Sequence, residues 1–228
     1  KIGVIGGSGL YNIENMAFVE ELSIDTPFGK PSDSIFIGKL NDVEIAFLPR
    51  HGRGHRIIPT EINSHANIYA MKMLGVENII AVNSVGSLRE EIHPGEIVIV
   101  DQLIDCTKHR KNTFFGDGIV AHIQFADPFC PNLRQVLYEA AIESIEEPVH
   151  PKGTYIVMEG TAFSTRAESK LHKSWGADLI GMTALPEAKL AREAEICYAI
   201  IACPGDYDAW HEHKEPVSVE MLLSTMHR

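Results

Sequence analysis

Short runs of β-branched and aliphatic residues alternate along this chain with longer stretches whose apolar residues recur at helical spacing. Residues 2–5 form the first such run and end in Gly6-Gly7-Ser8-Gly9, which predicts a buried strand and then a tight turn. Residues 34–37 and 43–48 predict a pair of strands around a polar turn at 39–42. Between 61 and 74, Ile62, Ala66, Tyr69, Ala70 and Met73 share one helical face. Further strands are predicted at 78–82, 96–103, 153–158, 179–182 and 197–203. Helices are predicted at 132–145, 166–175 and 186–194, and 217–226 opens like a last one.

Strands that alternate with helices indicate an α/β protein with a largely parallel sheet. In such sheets ligands gather beyond the carboxyl ends of strands. The unusual polar segments sit there: GGSG, PRHGRGH, NSVGS, EGTAFSTR, GMT and GDYD each follow a predicted strand.

Composition narrows the function classes. A length of 228 residues suits one sizeable domain, and 45% hydrophobic with 22% charged residues supports a buried core. Lys plus Arg is 20 against 31 Asp plus Glu, a net charge of −11, which argues against nucleic acid or an anionic membrane as main partner. A small anion in a local pocket remains compatible. No apolar run reaches the roughly 18–20 residues of a membrane span, and the opening KIGVIGG reads as a strand, not a signal peptide. Cys106, Cys130, Cys197 and Cys203 form no CxxC pair and no zinc-finger spacing, so reduced thiols in a cytoplasmic protein and no metal site are expected.

Gly6-Gly7-Ser8-Gly9 frees backbone N–H groups and adds the Ser8 hydroxyl, either as a plain turn or as an anion cradle. It is neither GxGxxG nor a Walker loop. Arg50, Arg53 and Arg56 share eight residues with His51 and His55, as a solvated basic loop or an oxyanion site. Asn83 and Ser84 offer amide and hydroxyl donors, or a simple Asn/Ser turn. Asp206 and Asp208 project to one side if the chain stays extended. In a dry pocket a carboxyl becomes a proton donor at neutral pH, suited to a leaving nitrogen; the alternative is a surface DxD loop. Ser164 or Thr165 would cap a helix, Phe163 is either a platform for a base or a core aromatic, and Thr183 adds a hydroxyl after Met182.

Taken together, these segments resemble the trimeric purine nucleoside phosphorylase group, and within it the 5′-methylthioadenosine phosphorylases. The resemblance runs through IGVIGGSGLY, TPFGKPSD, LPRHGRGH, VGSLREEIHPGEIVIVDQ, ADPFC, FSTRAES, GMTALPEAKLAREAEICYA and DYDAW, in order along nearly the whole chain. It implies a single-domain, three-layer αβα fold with a mixed, largely parallel sheet over residues 1–228. It implies phosphate held by Ser8, Arg50, His51, Asn83, Ser84 and Thr183, and ribose beside Met182. The base would stack near Phe163, with Asp206 and Asp208 at its N7 and 6-amino edge and Ser164 tuning base choice. Val219, Leu222 and Leu223 would line the alkylthio pocket, and His122 would reach a neighbouring subunit's site in a homotrimer or a dimer of trimers. Asn83-Ser84 stands where the family more usually has a pair such as Thr-Ala, Thr161 where it usually has Pro, and Gly205 where many members have Thr. The family's last helix normally continues past position 228, so the chain is either naturally short there or missing its end.

The implied reaction is reversible phosphorolysis of 5′-methylthioadenosine in purine and methionine salvage, with inorganic phosphate as co-substrate and no metal or organic cofactor. The competing readings are a phosphorylase of 6-oxopurine nucleosides such as inosine, guanosine or methylthioinosine, a hydrolytic nucleosidase, and a nucleotide-binding regulatory module. Two acceptor carboxylates favour a 6-amino purine, because a 6-oxo edge wants a donor.

Overall fold

The computed structural model of the chain describes residues 1–7 and 17–211. Its centre is a mixed sheet, and the apolar runs explain why. Strand β1 (Ile2–Gly6) lies between β4 (Val43–Pro49) and β5 (Asn78–Ser87), parallel to both. Strands β2 (Ala17–Leu22) and β3 (Ile35–Leu40) extend that edge antiparallel. On the other side β11 (Cys197–Asp206) runs parallel to β5. The far end of β5 pairs antiparallel with β10 (Leu179–Gly181), which continues in parallel into β9 (Thr154–Met158) and β7 (Gln102–Cys106). Strand β6 (Ile97–Ile99) is antiparallel to β11 and carries β8 (Val149–His150) at its outer side.

Helices cover both faces. Tyr198, Ile200 and Ala202 of β11 pack in the main core with Ile68 and Met71 of α1 (Ser64–Met73) and Leu190 and Ala191 of α4 (Glu187–Glu193). The alternate residues Ala199 and Ile201 meet Leu133 and Leu137 of α2 (Pro131–Ser144). A strand buried on both faces needs a continuous apolar run, which residues 197–203 supply. Each fully buried aliphatic side chain contributes about 1.5–3 kcal/mol. Helix α3 (Arg166–Ser174) starts from a capping box in which the Thr165 side chain accepts from Glu168 N and the Glu168 carboxylate reaches back to Thr165 N.

Several sequence expectations are corrected. The segment 96–103 is two strands, because the chain leaves β11 at β6 and joins β9 at β7; Asp101 marks the change by exchanging backbone and side-chain bonds with Gly153. Strands β5 and β11 extend beyond 82 and 203, so Asn83, Ser84 and Asp206 lie in strands, and NSVGS is not a turn. Strand β2 was not expected; it is almost wholly exposed and shows no alternation. Helix α1 begins at Ser64, where Asn63 accepts from Ala66 N, after a 3-10 turn at Pro59–Glu61. The expected helix at 217–226 lies outside the described residues.

The thiol expectation fails for two of four cysteines. Cys130 and Cys197 form a disulfide across 67 residues, while Cys106 and Cys203 are free. Cys130 precedes α2 and donates its N–H to Tyr198 O at the start of β11, which brings the two Cα atoms to 5.3 Å. That is within bridging reach, and no spacing rule in the sequence signals it. Among the described residues no helix is long and apolar enough to cross a membrane.

Candidate active site

Where β4 ends, Arg50 N donates to Gly6 O of β1, and the Arg50 side chain turns into the core with only 2% of its surface exposed. Its Nε and Nη2 donate to the two carboxylate oxygens of Glu187, at 2.8 and 2.9 Å. Nη1 donates to Val82 O, and Nη2 also meets Ile5 O and Asn83 Oδ1. Glu187, itself 1% exposed, accepts in addition from the Tyr198 hydroxyl at 2.7 Å. The bidentate geometry and the added acceptor compensate two buried charges. Asn83 passes the network on: its Nδ2 donates to Thr183 Oγ1 at 2.7 Å. Arg50, Asn83 and Thr183 are therefore brought together, as the sequence led us to expect. Ser84 follows with a buried hydroxyl that has no partner among the described residues.

His51 is buried beside this network. Its Nδ1 lies 2.8 Å from Ile57 O, and its ring stacks on His55. A carbonyl only accepts, so Nδ1 carries the proton and Nε2 of the neutral ring is an acceptor. Burial, with Arg50 and His55 adding to it, holds the ring pKa down at about 4. The other two arginines of PRHGRGH face outward: Arg53 pairs with Glu21 and Asp33, and Arg56 with Asp33 and Ser32 O. The loop thus has one arginine turned in, onto Glu187, and two pairing with the acidic surface. Ser8 lies outside the described residues.

The second half of the site is built on Gly86. A Cβ there would stand 3.0 Å from Asp206 Oδ1 and 3.3 Å from Asp208 Cβ, so the missing side chain lets both aspartates close over β5. Asp206 and Asp208 are 5% and 6% exposed. Burial first, and then the charge of Asp208, raise the Asp206 pKa to about 7. Asp206 Oδ1 has no partner among the described residues, whereas Asp208 Oδ2 accepts from Ser169 Oγ of α3. Asn83 and Gly86 are three residues apart on one strand, roughly 10 Å. The polar network and the carboxyl pair therefore share one end of the sheet.

Met182 follows β10, and its sulfur occupies the space a side chain at Gly160 would need. Ser164 is buried, with Oγ 3.8 Å from Met158 Sδ, and Phe163 is 43% exposed, so the core-aromatic reading of Phe163 fails. His122 is exposed and lines a groove of about 350 Å³ with Thr113, Phe125, Lys189 and Glu193; among the described candidate residues no other lines it. Val219, Leu222 and Leu223 lie outside the described residues.

Sequence reasoning missed two organising residues. Glu187 was legible only as a carboxylate on the apolar side of a helix that buries Ala188, Leu190 and Ala191. Arg110 sits in the basic run KHRK, yet its side chain is buried. Its five N–H groups meet Glu159 Oε1 and the carbonyls of Met158, Glu159, Met182 and Leu185. It ties the end of β9 to the turn that carries Met182 and Thr183. Burial opposes ionisation of Glu159, but bonds from Lys108 N, Thr60 and Arg110 draw its pKa down to about 2.

Residues 1–226 match the phosphorylase superfamily. The chain belongs to that superfamily. Among curated relatives, the S-methyl-5′-thioadenosine phosphorylase of Geobacter sulfurreducens is 61% identical over 98% of this chain and 78% of its own. That of Hyperthermus butylicus is 54% identical, covering 99% of this chain and 81% of the relative. Among solved structures, the methylthioadenosine phosphorylase of Schistosoma mansoni in complex with adenine is 41% identical with a TM-score of 0.94, over 99% of this chain and 85% of that one. A methylthioadenosine phosphorylase from an antarctic soil metagenomic library is 48% identical with a TM-score of 0.94, over 99% and 80%. These neighbours share the phosphorylase fold, a mostly parallel mixed sheet with flanking helices.

Proposed function

We propose that this phosphorylase-superfamily chain catalyses reversible phosphorolysis of 5′-methylthioadenosine to adenine and 5-methylthioribose 1-phosphate. The observation that carries the reading is Asp206, buried and half-protonated near neutrality, on the same sheet end as the Arg50–Asn83–Thr183 network. The relatives named above support the substrate.

Phosphate takes the remaining Nη1 N–H of Arg50 and the hydroxyls of Ser84 and Thr183, with Ser8 beside them. His51 Nε2 accepts the proton of a hydrogen phosphate, which fits a ring kept neutral by burial. As the glycosidic bond stretches, the sugar gains oxocarbenium character beside Met182, and phosphate attacks C1′ from the opposite face. Positioning and charge stabilisation supply the rate. Asp206 gives its proton to N7 so that adenine leaves neutral, a contribution of about 10²–10⁴-fold. Asp208 accepts from the 6-amino group. Ser164 and Phe163 flank the base. The reaction needs no metal or organic cofactor in this scheme.

His122, exposed on its own groove, serves the site of a neighbouring subunit in a homotrimer, and the enzyme works in the cytoplasm. The test is turnover of methylthioadenosine and inosine, each with and without phosphate. We expect phosphate-dependent release of adenine and little reaction with inosine. Equal rates in phosphate-free buffer overturn phosphorolysis, and a preference for inosine overturns the substrate.

A further inference from the structure

Two aspartates in one buried site raise a question of labour: one must carry a proton and the other must accept. They are chemically identical, lie two residues apart and are buried to the same degree. What separates them is α3. Ser169, fully buried, donates Oγ–H to Asp208 Oδ2, whereas Asp206 Oδ1 has no partner among the described residues and the Asp206 carboxyl takes only the backbone N–H of Asp208.

We propose that Ser169 is the positioning residue that assigns the two roles: by bonding Asp208 it keeps that carboxyl as the acceptor and leaves the shared proton on Asp206. The inference rests on the phosphorolysis reading, and deepens it by naming what sets base preference.

Among the described residues, Gly86 of β5 and beside it Ile180 of β10 border the pair and carry no charge. On α3, Arg166 donates to Ala209 O, and Lys173 Nζ lies 3.1 Å from the centroid of the Trp210 ring. Between and after the aspartates, Tyr207 stacks on His211, which pairs with Glu90, and His93 meets the other edge of Tyr207. A hydroxyl donor stabilises the anion it touches, so its loss lets the proton divide between the two carboxyls. A proton on Asp208 does double harm to a 6-aminopurine. It removes the acceptor for the amine and withdraws the acid from N7, while it presents a donor to a 6-oxo edge.

The experiment compares wild type with Ser169→Ala in two ways. Carboxyl carbon-13 NMR titration of labelled aspartates, assigned with Asp206→Asn and Asp208→Asn, reads where the proton sits without any substrate. We expect the Asp206 carboxyl to titrate near neutrality in wild type, and that step to shift in Ser169→Ala. Steady-state kinetics with methylthioadenosine and methylthioinosine then read the consequence. The ratio of their kcat/KM values should fall about tenfold in Ser169→Ala, beyond any loss common to both substrates. Ser169→Thr, which restores the hydroxyl, should recover the ratio. Unchanged Asp206 titration together with an unchanged substrate ratio overturns the proposal, even if overall activity drops. If Ser169→Ala does not fold, Ser169→Cys replaces the hydroxyl with a weak donor of similar size and is read the same way. Failure of the wild type to use methylthioadenosine counts against the proposed reaction, and the NMR titration still decides the role of Ser169.

Discussion

Glu187 grips Arg50 with both carboxylate oxygens, in a pair that has almost no exposed surface. The guanidinium that the sequence offered to phosphate is thus first an internal cation, aimed by a carboxylate from the first turn of α4. Its charge reaches an anion through what Glu187 leaves over. Removing Glu187 strands a buried cation, whereas removing both partners strands no charge. Glu187→Ala should cost about 3–5 kcal/mol in urea denaturation. The double variant Arg50→Met, Glu187→Leu should recover much of that stability and have no measurable phosphate-dependent turnover. Equal loss in single and double variants would contradict the pairing.

Arg110 predicts a different pattern. Lysine offers three donors on a point charge where the site uses five in a planar fork. Arg110→Lys should leave carbonyls at Met158, Glu159, Met182 or Leu185 without donors, at about 2 kcal/mol. Nucleoside KM should rise about tenfold, because the turn that carries Met182 loosens from the end of β9. Initial rates at saturating phosphate, well below the melting temperature, test this; an unchanged nucleoside KM would limit Arg110 to stability.

Asp206 gives a stability prediction with a definite sign. Its pKa in the fold, about 7, lies above its ordinary 3.8, so the folded state binds the proton more tightly. Its contribution is fully present below pH 3.8 and is lost as pH rises through 7. Asp206→Asn removes this dependence. The variant should melt higher than wild type at pH 8, by an amount worth about 2 kcal/mol or more, and the gap should close by pH 4. Activity should fall about 10²–10⁴-fold in the same variant, and wild-type kcat/KM should decline above neutrality.

His51 has the opposite sign. Its pKa falls from 6.5 to about 4, so the unfolded chain takes up the proton first. The stability that neutral His51 contributes is complete above pH 6.5 and is lost as pH falls toward 4. His51→Asn, compared with wild type by thermal melting from pH 7 to 4, should show a shallower decline. Parallel curves would mean that the ring is not held neutral.

The strands were legible because buried parallel strands are written as unbroken apolar runs, and residues 2–5, 45–48 and 197–203 are such runs. Strand β2 was not, since exposed positions carry no alternation to read. The ends of β5 and β11 escaped for a related reason: Asn83, Ser84 and Asp206 have turn-like chemistry but strand backbones, because the parallel β5–β11 ladder continues through them.

The sequence by itself determined the composition of the site: an arginine, a histidine, an amide, hydroxyls and two carboxylates, each placed just beyond or at the end of a strand. It also determined the alternating order of elements that brings those ends to one side of a sheet. Only the tertiary structure decided how each group is used. Glu187 is 137 residues from Arg50, Ser169 is 39 from Asp208 and Cys197 is 67 from Cys130. Local pattern reports the face and type of an element. Which buried charge is compensated, and which carboxyl keeps its proton, depends on partners that meet only when the sheet and its helices close.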